Sequence, residues 1–119
     1  MPNSVRMAKI NAQIQRDLSD IISNLNNPEL ENSIISVLRV ETSNDLYVSK
    51  VYLSILGNEQ TKDRIMAIIN NAKNYIRREL AHKTIIRSVP DLVFILDESL
   101  EYSENINKLI DKINGENND

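Results

Sequence analysis

Lys73, Asn74, Arg77 and Arg78 crowd into one short helical stretch, and Lys83 and Arg87 follow close behind. The chemistry such a group supports is electrostatic. Clustered lysines and arginines neutralise phosphates, which is the dominant affinity term for RNA. Arginine adds a planar fork that can hold a phosphate bidentately or stack on a base. These cations also have a plainer use. Arg77, Arg78 and Lys83 fall late in their helix, where positive charge complements the macrodipole. A second set, Arg6, Lys9 and Arg16, projects with Gln13 along one flank of an N-terminal helix, and Asp20 ends the row. Cations in the first turns of a helix oppose its dipole, so helix stability does not account for Arg6 and Lys9. A solvated polar face accounts for them without any ligand.

The net charge of −3 argues mildly against a polyanionic partner, but the charges are not spread evenly. Residues 1–16 carry three cations and no acids, and residues 62–87 carry seven cations against two acids. Residues 17–61 hold two cations against seven acids, and residues 88–119 hold two against eight. A chain with charge in separate blocks presents one cationic side, and a polyanion responds to that local field.

Other chemistries find little support. There is no cysteine, which excludes disulfides and thiolate metal sites and suits a reducing cytosol. The single histidine, His82, lies near a helix end, where it reads as a terminal charge or a surface residue. Asp97 and Glu98 at a strand end lack a further carboxylate pair or histidine at ligand spacing. No phosphate-cradling glycine loop, nucleophile elbow or Cys/His pair is present. An enzyme, a metal, a cofactor and a small-molecule substrate are therefore not expected. The longest apolar run, Leu92 to Leu96, cannot span a bilayer, and Met1-Pro2-Asn3-Ser4 leads into charge, so neither a membrane association nor a secretory signal is expected.

The elements that must position the cations follow from periodicity. Ile10, Ile14, Leu18, Ile21, Ile22 and Leu25 recur at spacings of three and four, giving a helix from Asn3 or Ser4 to about Leu25, broken by Asn26-Asn27-Pro28. Residues 33–42 suit a strand, although Ile34-Ile35 and Val37-Leu38 blur its alternation. Ser43-Asn44-Asp45 is a turn. From Tyr47 to Leu56 alternation is clean, with Ser49, Val51, Leu53 and Ile55 on one face and Lys50, Tyr52 and Ser54 on the other. One polar face implies a sheet covered by helices on one side only. Tyr47 and Tyr52 could stack bases there, but cross-strand packing suits them better. After Gly57-Asn58 a helix opens near Glu59. Its stripe (Ile65, Ile68, Ile69, Ala72) resumes at Ile76 and Leu80 across a polar step, so a kink is expected at Ala72, Lys73 and Asn74, with Asn74 able to turn left-handed. A straight helix is the alternative. Residues 84–87 suit a short extended piece, and Leu92–Leu96 a central strand. Ile106, Leu109, Ile110 and Ile113 mark a last helix before Gly115. One domain over 1–114 and a disordered polar tail over 115–119 follow. Two helices meeting at a small-residue kink and bearing cations are how a KH module meets a nucleic acid backbone.

This order of elements, with Arg6 through Lys9-Ile10, Lys50-Val51-Tyr52-Leu53-Ser54, Ala72-Lys73-Asn74-Tyr75-Ile76-Arg77, Ile86-Arg87-Ser88-Val89-Pro90 and then Leu92, Phe94, Asp97 and Ser99, resembles the bacterial ribosome-binding factor A family over nearly the whole chain. The resemblance implies an α+β, type II KH-like domain of order α-β-β-α-kink-α-β with a C-terminal helix and a three-stranded mixed sheet. It also implies a cytoplasmic, monomeric assembly factor that binds free small (30S) ribosomal subunits, assists late maturation and processing of 16S rRNA and matters in cold adaptation. RNA contact is then expected at Arg6, Lys9, Arg16, Lys73, Asn74, Arg77, Arg78, Lys83 and Arg87. The family junction usually reads Ala-x-Gly, and here Asn74 takes the glycine position. The competing reading is a protein-interaction module whose cationic face meets an acidic protein partner.

Overall fold

A computed structural model describes residues 4–83 and 88–98. Seven elements follow one another: α1 (Ser4–Ser23), α2 (Pro28–Glu31), β1 (Ile35–Thr42), β2 (Val48–Ile55), α3 (Glu59–Asn71), α4 (Lys73–Lys83) and β3 (Asp91–Leu96). The extended piece expected over 84–87, the last helix and the polar tail lie outside the described residues.

The clean alternation of residues 47–56 marks the centre of the sheet. β2 pairs antiparallel with β1 and parallel with β3, in the order β1-β2-β3. Ser49, Val51, Leu53 and Ile55 turn inward and are buried, as the pattern requires. Ser49 meets its polar need across the ladder, its hydroxyl lying 2.8 Å from that of Thr42. The apolar run at Leu92–Leu96 is an edge strand and not the central one. Leu92 and Phe94 enter the core while Val93 stays partly exposed on the other face.

The blurred alternation of β1 has a physical cause. Register shifts between Val37 and Arg39, so that Val37 faces Leu53 and Arg39 faces Tyr52, with Leu38 as the extra residue of a bulge. Val37 and Val40 are therefore both buried although three residues apart. A bulge frees carbonyls, and α1 satisfies them: Gln15 Nε2 donates to the Val37 and Leu38 carbonyl oxygens at 3.0 and 3.2 Å. One turn earlier, Asn11 Oδ1 accepts the Thr42 N–H at 3.1 Å. Polar side chains of α1 thus occupy backbone groups of an edge strand that would otherwise invite pairing.

The helices form one layer on the inward face. Ile14, Leu18, Ile21 and Ile22 of α1 join Ile65 and Ile69 of α3 and Ile76 and Leu80 of α4 in a single core. α2 was not expected. Asn27 caps it, Oδ1 accepting the Glu29 N–H at 2.9 Å, and Pro28 fills the first helical position, where no N–H is needed. Gly57, with φ of +149°, turns the chain into the Asn58 cap of α3.

Candidate nucleic-acid interface

The break between α3 and α4 falls at the first of the three residues expected to kink, two before the left-handed residue foreseen. Ala72 carries it, at φ −88° and ψ 4°, and its N–H still reaches back to the Ile68 carbonyl at 3.0 Å. Asn74 lies inside α4, and Leu46 in the hairpin loop is the sole non-glycine residue with positive φ among the described residues. The kink therefore places Ala72 in the sparsely used bridge region and needs no left-handed Asn74. Ala72 suits because its methyl group packs against the core edge.

α4 orients the expected cations differently from one another. Ile76 and Leu80 define its buried face, so Asn74, Tyr75 and Arg78 point to solvent. Lys73 lies on the flank, half-buried. Arg77 turns toward the protein instead: its Nε donates to the Pro90 carbonyl at 3.2 Å and its Nη2 to that of Val89 at 3.1 Å. It fastens the segment entering β3. Lys83 is likewise engaged, its Nζ 2.7 Å from Asp20 Oδ2 on α1. The hydrogen bond from Lys83, with its charge, holds the Asp20 carboxyl below the ordinary carboxylate range, and the same contact raises Lys83. The face available for a ligand is thus Asn74, Tyr75 and Arg78, flanked by Lys73. Tyr75 was not singled out from sequence, though an aromatic within the basic run was the signal.

The second set of cations keeps its row but not its place. Arg6, Lys9 and Arg16 are exposed along α1, and Arg16 Nη2 donates to Gln13 Oε1 at 2.9 Å. The Ala72 break shares a groove with Leu25, just beyond the C-terminal end of α1, and the Asp20–Lys83 pair joins α4 to that same half. Arg6 lies roughly 20 Å further along the helix axis from Asp20, at about 1.5 Å per residue. Arg6 is therefore well away from the Asp20–Lys83 contact that joins α1 to α4, whereas Arg16 lies about one turn from it. Arg87 lies outside the described residues.

Acidic and aromatic groups flagged from sequence have structural partners. Asp97 accepts from Arg39 Nη1 at 3.0 Å, and Glu98 Oε1 stands 3.3 Å from Nζ of the buried Lys62. Tyr52 packs across the strands: Arg39 lies 3.9 Å above its ring, and its hydroxyl donates to Glu41 at 3.1 Å. Lys62 escaped the sequence reading because it replaces an apolar residue in an otherwise regular stripe. No helix among the described residues is long and apolar enough to cross a membrane.

A family model described as "Ribosome-binding factor A" matches residues 6–110. The chain belongs to the ribosome-binding factor A family. A ribosome-binding factor A of Lachnospira eligens is 39% identical over 98% of this chain and 89% of its own length. The crystal structure of ribosome-binding factor A from Thermus thermophilus is 27% identical, with a TM-score of 0.67, covering 78% of this chain and 97% of that one. A Thermus thermophilus model of the factor, fitted into a map of its complex with the 30S subunit, has a TM-score of 0.60 at 27% identity, over 74% of this chain and 91% of that one. Ribosome-binding factor A structures have the KH-like fold, and the three-stranded mixed sheet with its two helices meeting at Ala72 is that fold here.

Proposed function

We propose that this chain is a ribosome assembly factor that docks on the free small subunit and holds a segment of 16S rRNA against α4 during late maturation and processing. The observation that carries the reading is the outward face of α4. Asn74, Tyr75 and Arg78 stand together beside a helix break, with Lys73 on the flank, in a family whose Thermus thermophilus member is placed on the 30S subunit. Arg supplies charge and a planar face, Tyr a stacking surface, and Asn an amide for base edges. Arg16, then Lys9 and Arg6, extend the positive line along α1. Action in the cytoplasm as a monomer, with a growing need for the factor in the cold as misfolded rRNA persists longer, completes the proposal. It involves no catalytic group.

The test is co-sedimentation with purified free 30S subunits. The Lys73→Glu/Arg78→Glu variant should lose most binding while keeping its thermal midpoint, because neither side chain fills the core. Unchanged binding would remove the α4 face from consideration. Treatment with ribonuclease separates the competing reading, since an acidic protein partner would stay bound.

A further inference from the structure

A groove of about 310 Å³ opens where the connection after α1 meets the α3–α4 break. Leu25, Leu30, Ile68 and Ala72 supply its apolar lining, and Asn26, Asn27 and Asn71 its polar groups. Among the described residues no charged side chain lines it, so these groups suit neither a phosphate nor a carboxylate. Its volume falls at the lower end for small-ligand pockets, which run from roughly 300 Å³. An apolar floor with amides around it matches a flat, neutral group that hydrogen-bonds at its edges.

We propose that this groove seats one unpaired RNA base. The inference rests on the RNA-binding reading of α4 and adds what that face would hold beside its phosphates. Three observations carry it. Asn27 Oδ1 already accepts the Glu29 N–H, so the amide N–H groups are what Asn27 can offer a ligand. Asn26 and Asn71 are exposed, and each brings a donor and an acceptor. Lys73 follows Ala72 directly in the chain, so a cation is carried one residue from the lining of the groove. A duplex cannot use the groove, because its bases are stacked and paired, whereas single strands splay bases into such sites. Uracil serves as the probe base, since its carbonyls and imino group complement amides.

The experiment is fluorescence anisotropy of the full chain with a labelled oligouridylate, and with the same strand lacking its central bases. Wild-type protein should bind the abasic strand roughly fivefold or more weakly, about what one net hydrogen bond from the amides contributes. The Asn26→Ala/Asn71→Ala variant should bind the complete strand about that much more weakly and show no further loss on the abasic one. Its salt dependence should match wild type, because every cation is retained. Wild-type indifference to the missing bases overturns the inference while leaving the cationic face intact, as does a variant that keeps full sensitivity to them. Absence of salt-dependent binding in the wild type overturns the RNA reading itself.

Discussion

Arg77→Lys separates the two uses of a cation on α4, because it keeps the charge and removes the fork. In the native chain the guanidinium reaches two consecutive carbonyls, Val89 at 3.1 Å and Pro90 at 3.2 Å. A hydrogen bond involving a charged group contributes about 1.5–3 kcal/mol. Both bonds are longer than the best charge-assisted pairs and the side chain is half-buried, so the lower end applies to each. An ammonium on a flexible stem can keep one of the two acceptors. The expected loss for Arg77→Lys is therefore about 1–2 kcal/mol, and for Arg77→Ala about 3 kcal/mol. In a domain of this size each kcal/mol lowers the thermal midpoint by roughly 4 °C. Circular dichroism melts would then show a drop of roughly 4–8 °C for the lysine variant. Anisotropy with single-stranded RNA, below both midpoints, should show unchanged affinity and salt slope. A lysine variant as stable as wild type but weaker on RNA would refute the fastening role and return Arg77 to the interface.

The remaining predictions concern the scaffold. Gln15→Leu leaves the Val37 and Leu38 carbonyls without their donor, and should cost about 1–3 kcal/mol in urea unfolding. Gly57→Ala would set a Cβ 2.9 Å from Thr61 Cγ2 at a φ of +149°, so it should destabilise by about 1–3 kcal/mol in the same assay. Asp45 is held below the ordinary carboxylate range by the Ser43 hydroxyl and then the Tyr47 N–H, and Asp20 by Lys83. Their folded values are depressed, so the stability they contribute is complete above roughly pH 4 and is lost as pH falls through the lower folded values. Asp45→Asn should flatten part of that acid limb in melts taken across it. For Lys83, raised by Asp20, the contribution is complete below its unfolded value and is lost as pH rises through the folded one. Lys83→Met should remove the Lys83 share of the alkaline limb in melts taken across it.

How far the sequence could be read depended on which group answered each residue. β2 was legible because its side chains alone decide its faces, and α1 because its apolar stripe is regular. The break was placed within two residues of Ala72, but its geometry was misassigned, since asparagine's left-handed tolerance describes what a residue can do and not what the chain requires. The fastening role of Arg77 was not legible because its acceptors are main-chain carbonyls twelve and thirteen residues away, which leave no mark in the side-chain pattern. The bulge at Leu38 was visible only as a lapse in alternation, while its cause, an amide on α1, lay in a different element. Arg6 and Lys9 were grouped with α4 by charge, which carries no information about distance along a helix.

The clasp that Gln15 and Asn11 place on β1 limits how this molecule can respond to a partner. Swinging α1 aside would free three main-chain groups and strip water-tight cover from Ile14, Leu18, Ile21 and Ile22, all at most 5% exposed. Four such side chains amount to about 6–12 kcal/mol at 1.5–3 kcal/mol each. That approaches the roughly 5–15 kcal/mol by which a whole domain outlasts its unfolded chain. The long helix and the sheet must therefore move as one rigid piece, and a partner that fits this surface has to meet it as it stands.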